Sequence, residues 1–304
     1  MRESAISVPY VIFWPVDFYP MMRLEFVYLF AVTLATLIGF FCASFTSAAQ
    51  ASDNLEETVC GWFKERMAFA AWSRAAGAPN PDVWRSVPDT TPITYKTRDG
   101  RNLRGYKISA RAGVSVSRSG FILVAQGNAM LADHLLHYLT AFANGGKDVF
   151  VYDYRGYGSS EGRRRLKAIV SDYRELFAAL SANTDGEKLL YGISFGGIVV
   201  MNVIGGGAKF DKAVIDSAPS RLSPHGCPPE YDPVLNLPAD SSKLMIISGN
   251  KDTVVTPADM SELLATAKSR GARVNISDDF AHPFMDTEAA HERRQMMVRE
   301  FFFR

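Results

Sequence analysis

Charge of one sign is what this sequence lacks most plainly. Its 33 Lys and Arg against 32 Asp and Glu leave a formal charge of +1 over 304 residues. That balance gives no broad attraction to nucleic acid or to anionic lipid, so no nucleic-acid partner is expected. The run Arg163-Arg164-Arg165-Leu166-Lys167 is the one basic cluster that stands out, and it reads as a solvated loop or helix start. Cysteine is scarce, with three residues, and histidine has only five. His134 and His137 are spaced three apart on a helical stretch, but no carboxylate or cysteine cluster accompanies them, so they read as ordinary helix residues and not as metal ligands. There is no internal repeat and no low-complexity tract, which sets aside a repeat array. What remains is ordinary globular composition, 47% hydrophobic and 21% charged, in a chain long enough for one large domain or two small ones.

The first fifty residues differ from the rest. Residues 26–45 are strongly apolar, Arg23 precedes them, and small residues follow up to Ala49-Gln50-Ala51. A charged flank, an apolar run and an A-x-A site make the layout of a secretory signal. The run also approaches the roughly 20 residues that span a bilayer, so an uncleaved N-terminal anchor is the competing reading of residues 1–51. Either way the folded part is expected outside the cytoplasm, as an exported (periplasmic or secreted) protein or one anchored in a membrane and facing outward. Met21 or Met22 reads as the true start, because Pro9, Pro15 and Pro20 suit no standard leader. Phe40-Phe41 before Cys42 is not the small-residue context of a lipoprotein cysteine, so lipidation there is not expected. Cleavage after Ala51 leaves Cys60 and Cys227, which an exported chain can hold as one disulfide or as two thiols.

Residues 52–90 read as a helical N-terminal extension. From about Thr91 the chain alternates strand-like and helix-like blocks. Two short strands flank Asp99-Gly100, a hairpin signal. Apolar runs at 121–125, 149–152, 189–191, 213–215, 244–247 and 274–276 are separated by helical patterns at 131–142, 166–180 and 260–267, with a last helix at 290–302. Repeated alternation predicts an α/β fold with a mostly parallel central sheet and helices on both faces. Residues 218–240 break the pattern with six prolines, at 219, 224, 228, 229, 233 and 238. Such a segment is neither a regular helix nor a central strand, and it reads as a short, stiff cap over the sheet.

Gly192-Ile193-Ser194-Phe195-Gly196 sits between a predicted strand and a predicted helix. In that context G-x-S-x-G is a nucleophile elbow, in which small residues let the chain turn sharply and the serine stands exposed above the sheet. A serine hydroxyl needs an adjacent base, itself oriented by an acid. In this order of elements the partners follow as acid and then histidine. Asp252 lies directly after the strand at 244–247, at the end of a sheet where catalytic groups collect. His282 lies beyond the last predicted strand. Asp278 and Asp279 are alternative acids, but they are only four and three residues from His282, too close in sequence to reach its far nitrogen. Backbone N–H groups of Phe195 and of Asn128, in the loop Gln126-Gly127-Asn128-Ala129, are the expected oxyanion donors. Gly127 is expected to permit a tight turn there.

These residues together resemble the α/β-hydrolase superfamily from about Thr91 to the C-terminus. The segment Tyr152-Asp153-Tyr154-Arg155-Gly156-Tyr157-Gly158-Ser159-Ser160 is similar to the D-x-R-G-x-G turn after the fourth strand of many members, where its role is structural. Asp252-Thr253-Val254-Val255 resembles the family's acid loop, and the group most similar is small, short-lidded serine hydrolases with an H-G-N-A oxyanion loop. Two departures stand out: Gln126 replaces the usual histidine, and Phe280-Ala281 stands where a glycine commonly precedes the catalytic histidine. The resemblance implies an α/β-hydrolase domain at 91–304 with a short cap at about 218–240. It implies a serine hydrolase acting on small-molecule carboxylic esters through Ser194, His282 and Asp252, with no metal or organic cofactor. A thioester substrate is the alternative, peptide cleavage ranks third, and a non-catalytic binding protein on the same fold is the competing class. A cap this small predicts an open, shallow cleft over Ser194 and short acyl chains of about C2 to C6, since each methylene adds only about 1 kcal/mol in an apolar pocket. The sequence leaves the oligomeric state open.

Overall fold

The computed structural model describes residues 54–80, 82–111 and 119–304. The leader or anchor expected in residues 1–51, with Cys42, lies outside the described residues. Within residues 54–304 the chain begins with helix α1 (Trp62–Ala75) and a hairpin, β1 (Thr90–Lys96) and β2 (Asn102–Ile108), which closes around the expected Asp99-Gly100 turn. Then follow β3 (Gly120–Ala125), α2 (Leu136–Ala143), β4 (Asp148–Tyr152), α3 (Leu166–Ala182), β5 (Glu187–Ile193), α4 (Phe195–Gly205) and β6 (Lys212–Asp216). The chain ends with β7 (Leu244–Gly249), α5 (Pro257–Ser269), β8 (Arg273–Ser277) and α6 (Glu288–Phe303).

The eight strands form one sheet in the order β1-β2-β4-β3-β5-β6-β7-β8. β1 to β2 and β2 to β4 are antiparallel, and every later pairing is parallel. The central strands are apolar at nearly every position because both faces are covered. Alternate side chains of β3 divide between two cores. Phe121, Leu123 and Ala125 pack with α3, α4 and α5, while Ile122 and Val124 pack with α2 and α6.

This strand order fixes where a site can form. From β3 the chain moves to β4 on one side, and from β5 it moves to β6 on the other, so the order reverses between β3 and β5. Ligands in open α/β sheets bind at such a switch point, beyond the carboxyl ends of the strands. The two ends are in register, with Ala125 opposite Gly192, so the loop after β3 and the turn after β5 lie side by side. The proline-rich segment after β6 folds into three short 3-10 turns, at Ser223–His225, Pro229–Tyr231 and Pro233–Asn236. Asp232 organises it from inside, accepting hydrogen bonds from Leu222 N, Ser223 N, Ser223 Oγ and Arg221 Nη1.

Candidate active site

Ser194 stands between β5 and α4 with φ 53° and ψ −117°, a conformation rarely adopted by a residue with a side chain. Its neighbours explain how the turn closes. A Cβ on Gly192 would fall 2.5 Å from the Gly196 carbonyl oxygen, and one on Gly196 would fall 1.9 Å from the Ala125 carbonyl oxygen. Both glycines are therefore required by close backbone approach. Ser194 N donates to Asp216 O at the end of β6, which ties the turn to the adjacent strand.

His282 meets the serine from the loop between β8 and α6. Its Nε2 is 3.0 Å from Ser194 Oγ, and its Nδ1 is 2.8 Å from Asp252 Oδ2. This calls for the tautomer that carries its proton on Nδ1, leaving Nε2 to accept from the serine hydroxyl. Asp252 is buried at the end of β7, where its other oxygen accepts from Val254 N at 2.8 Å and Val255 N at 2.9 Å. Burial pushes its carboxyl up, but the bond to His282 and the two backbone donors outweigh this and hold it below the usual carboxylate range. Asp278 and Asp279 face elsewhere: Asp278 accepts from Asn250 Nδ2, and Asp279 accepts from Ser277 Oγ and pairs with Arg293. His134 Nδ1 accepts from Leu131 N, while His137 Nε2 lies 3.5 Å from Ser86 Oγ, so the two rings serve separate local contacts.

The loop after β3 packs against the serine. A Cβ on Gly127 would lie 3.1 Å from Met130 Sδ, a tight approach, and in ordinary contact with Ser194 Cβ at 3.7 Å. The left-handed residue of this turn is Ala129, with φ 57°. Gln126, in place of the usual histidine, is fully buried and donates from Nε2 to Tyr152 O at 2.9 Å, so it secures the loop to β4. Tyr157 OH donates to Asn128 Oδ1 at 2.7 Å, and Tyr154 OH donates to Gln126 O. The turn after β4 thus braces the loop that carries Asn128. Phe195 opens α4, so its N–H is one of the helix's unpaired first-turn donors.

Two features of the site lay beyond sequence reasoning. Arg294 of α6 is almost fully buried and joins Asp216, Asp286 and the carbonyl oxygen of Ala281. Asp286 in turn accepts from Ala281 N at 2.7 Å, so both backbone groups of the residue before His282 are anchored. Helix α1 is the second feature. Cys60 forms a disulfide with Cys227 of the cap, and Phe69 packs edge-on against Phe195 at 5.6 Å. The cleft over Ser194, about 680 Å³, is therefore walled by Trp72 of α1 as well as by the cap. An open cleft was expected from the cap alone, and the helix adds an apolar wall to it.

Comparison with known proteins agrees with this architecture. The sequence pattern of the family described as serine aminopeptidase, S33, matches residues 117–237. The uncharacterized protein YfhR of Escherichia coli (strain K12) is 26% identical over 132 residues, which cover 42% of this chain and 45% of that protein, so the match spans about half the relative's length. The uncharacterized membrane protein YNL320W of Saccharomyces cerevisiae is 26% identical over 239 residues, covering 70% of this chain and 80% of that one. Among solved structures, the Pyrococcus furiosus esterase Pf2001 superposes with a TM-score of 0.56 at 18% identity, covering 74% of this chain and 95% of its own. XC6422 of Xanthomonas campestris, described as an a/b serine hydrolase without lid, gives a TM-score of 0.52 at 18% identity, covering 70% and 91%. The chain has the α/β-hydrolase fold.

Proposed function

We propose that this α/β hydrolase cleaves carboxylic esters through an acyl-enzyme on Ser194. The observation that carries the reading is the continuous hydrogen-bonded line from Asp252 through His282 to Ser194, on a serine held in a strained turn. In the first step His282 Nε2 takes the hydroxyl proton as Ser194 Oγ bonds to the substrate carbonyl carbon. The carbonyl oxygen takes up negative charge and faces the N–H groups of Phe195 and Asn128, each worth about 3 kcal/mol of barrier. Collapse breaks the bond to the alcohol oxygen, which leaves with the proton from His282. Water then attacks the acyl-enzyme by the same route, releasing the acid and restoring the serine. Asp252 holds the imidazole in the working tautomer and stabilises its charged form.

The reading extends to location. A signal-like or anchor-like N-terminus and a disulfide between Cys60 and Cys227 together favour an oxidising compartment outside the cytoplasm. The catalytic assignment is tested with a fluorophosphonate probe. Wild type is expected to label on the Ser194 peptide, and Ser194→Ala to lose both labelling and several orders of magnitude in ester turnover. Labelling that survives in Ser194→Ala places the nucleophile elsewhere, and an unlabelled, inactive wild type favours a binding protein.

A further inference from the structure

We propose that helix α1 and the cap enclose a binding site for a fatty-acyl chain of about eight or more carbons. The inference rests on Ser194 as nucleophile and names the substrate class that its site takes. Beside the Ser194 cleft lies a second recess of about 470 Å³, between α1, α4 and the cap. The two spaces adjoin, sharing Trp72, Phe195, Ile198, Leu222, Pro224 and His225 in their lining. Ala68 and Phe69 of α1 line the recess, as do both cysteines of the Cys60–Cys227 bridge.

Its lining is mostly apolar, with the exposed Lys64 and His225 also taking part. Phe69 stands edge-on to both Phe195 and Trp72, giving aromatic walls. Glu65 is the buried charge in this wall, and it is already committed: Oε2 accepts from Val59 N and Cys60 N, and Oε1 from Leu166 N. A ligand therefore meets apolar carbon without a buried carboxylate left to satisfy. The opposite end of the Ser194 cleft is polar, lined by Arg221, Asp259 and Glu262. An ester seated at Ser194 thus has an apolar direction for its acyl chain and a polar one for its alcohol.

Size and energetics set the chain length. At ~30 Å³ per methylene, the share a water molecule takes in the liquid, half-filling the recess accommodates about eight methylenes. Each methylene moved from water into the recess adds up to about fourfold in kcat/KM. The optimum therefore moves from the C2 to C6 range that the cap alone predicts to C8 or longer.

The test uses the full chain, with its disulfide intact, against alkyl fluorophosphonates and p-nitrophenyl esters from C2 to C14. Inactivation and kcat/KM are expected to rise together and peak at C8 or beyond. Ala68→Trp, which adds bulk to the lining of the recess, is expected to lower the C10-to-C2 ratio at least tenfold in both assays. Should that variant fail to fold, Ile198→Phe narrows the same passage and is expected to lower the ratio likewise. Labelling of Ser194 with an optimum at C2 to C6 overturns the acyl site and leaves the nucleophile standing. Failure to label Ser194 with any chain length overturns both.

Discussion

Replacing Arg294 with Met should uncouple the His282 loop from the sheet, and the cost can be worked from the contacts. Arg294 Nη1 pairs with Asp216, Nε donates to Asp286 Oδ2 at 2.9 Å, and Nη2 donates to Ala281 O at 2.6 Å. Both carboxylates are buried, and the guanidinium also stacks 4.4 Å over the Phe280 ring. Methionine fills much of the volume and supplies no charge. Removing one partner from a buried ion pair typically costs 3–5 kcal/mol, a large part of the 5–15 kcal/mol that holds a domain folded. The pH dependence follows from Asp216. Burial already pushes its carboxyl above the usual range while Arg294 opposes that rise. Without Arg294 the folded-state value climbs further, so the native variant binds a proton that the unfolded chain does not. A carboxyl raised in the fold loses stability as pH rises, so the deficit should be largest near pH 8 and shrink toward pH 5. Activity should fall as well, because the backbone before His282 loses its anchor, and a misplacement of 1 Å can cost about 100-fold. Urea denaturation from pH 5 to 8 reads the first effect, and fluorophosphonate inactivation at low temperature reads the second. A deficit below about 1 kcal/mol that is flat with pH would refute the argument.

Three further outcomes are expected. Asp252→Asn should lower turnover by about 10⁴, whereas Asn at Asp278 or Asp279 should change it far less; near-normal rates in Asp252→Asn would move the acid elsewhere. Cys60→Ser should lower the unfolding free energy by about 2–5 kcal/mol, because the bridge closes a long loop, and equal urea midpoints with and without reductant would contradict this. N-terminal sequencing of the mature protein should begin at or near Ser52, and an intact N-terminus in the membrane fraction would favour the anchor.

The parts of the site that were legible in the sequence are those written in local pattern. The elbow needs small residues on either side of a serine between a strand and a helix, and that constraint lies within five residues. The alternating apolar blocks gave the sheet because each buried strand is a short continuous run. Asp252 and His282 followed from chain order, since successive strands deliver their loops to one end of a parallel sheet. Features that depend on distant pairs were hidden. Nothing in residues 62–75 says that Phe69 will pack on Phe195, because that contact joins segments far apart in the chain. Arg294 is one arginine among many until folding sets it between Asp216 and Asp286. Where a glycine is commonly found near the histidine, this chain has Phe280-Ala281, and Arg294 and Asp286 hold Ala281 by both backbone groups. The chain-length expectation counted only the cap, because the contact of helix α1 with the cap is likewise a distant pairing.

The most direct measurement is rapid-quench mass spectrometry of the protein mixed with a p-nitrophenyl ester. Wild type should show a transient gain of one acyl group, mapped to the peptide containing Ser194, appearing with a burst of p-nitrophenol. Ester hydrolysis without any acyl adduct on Ser194, or an adduct on another residue, would contradict the account.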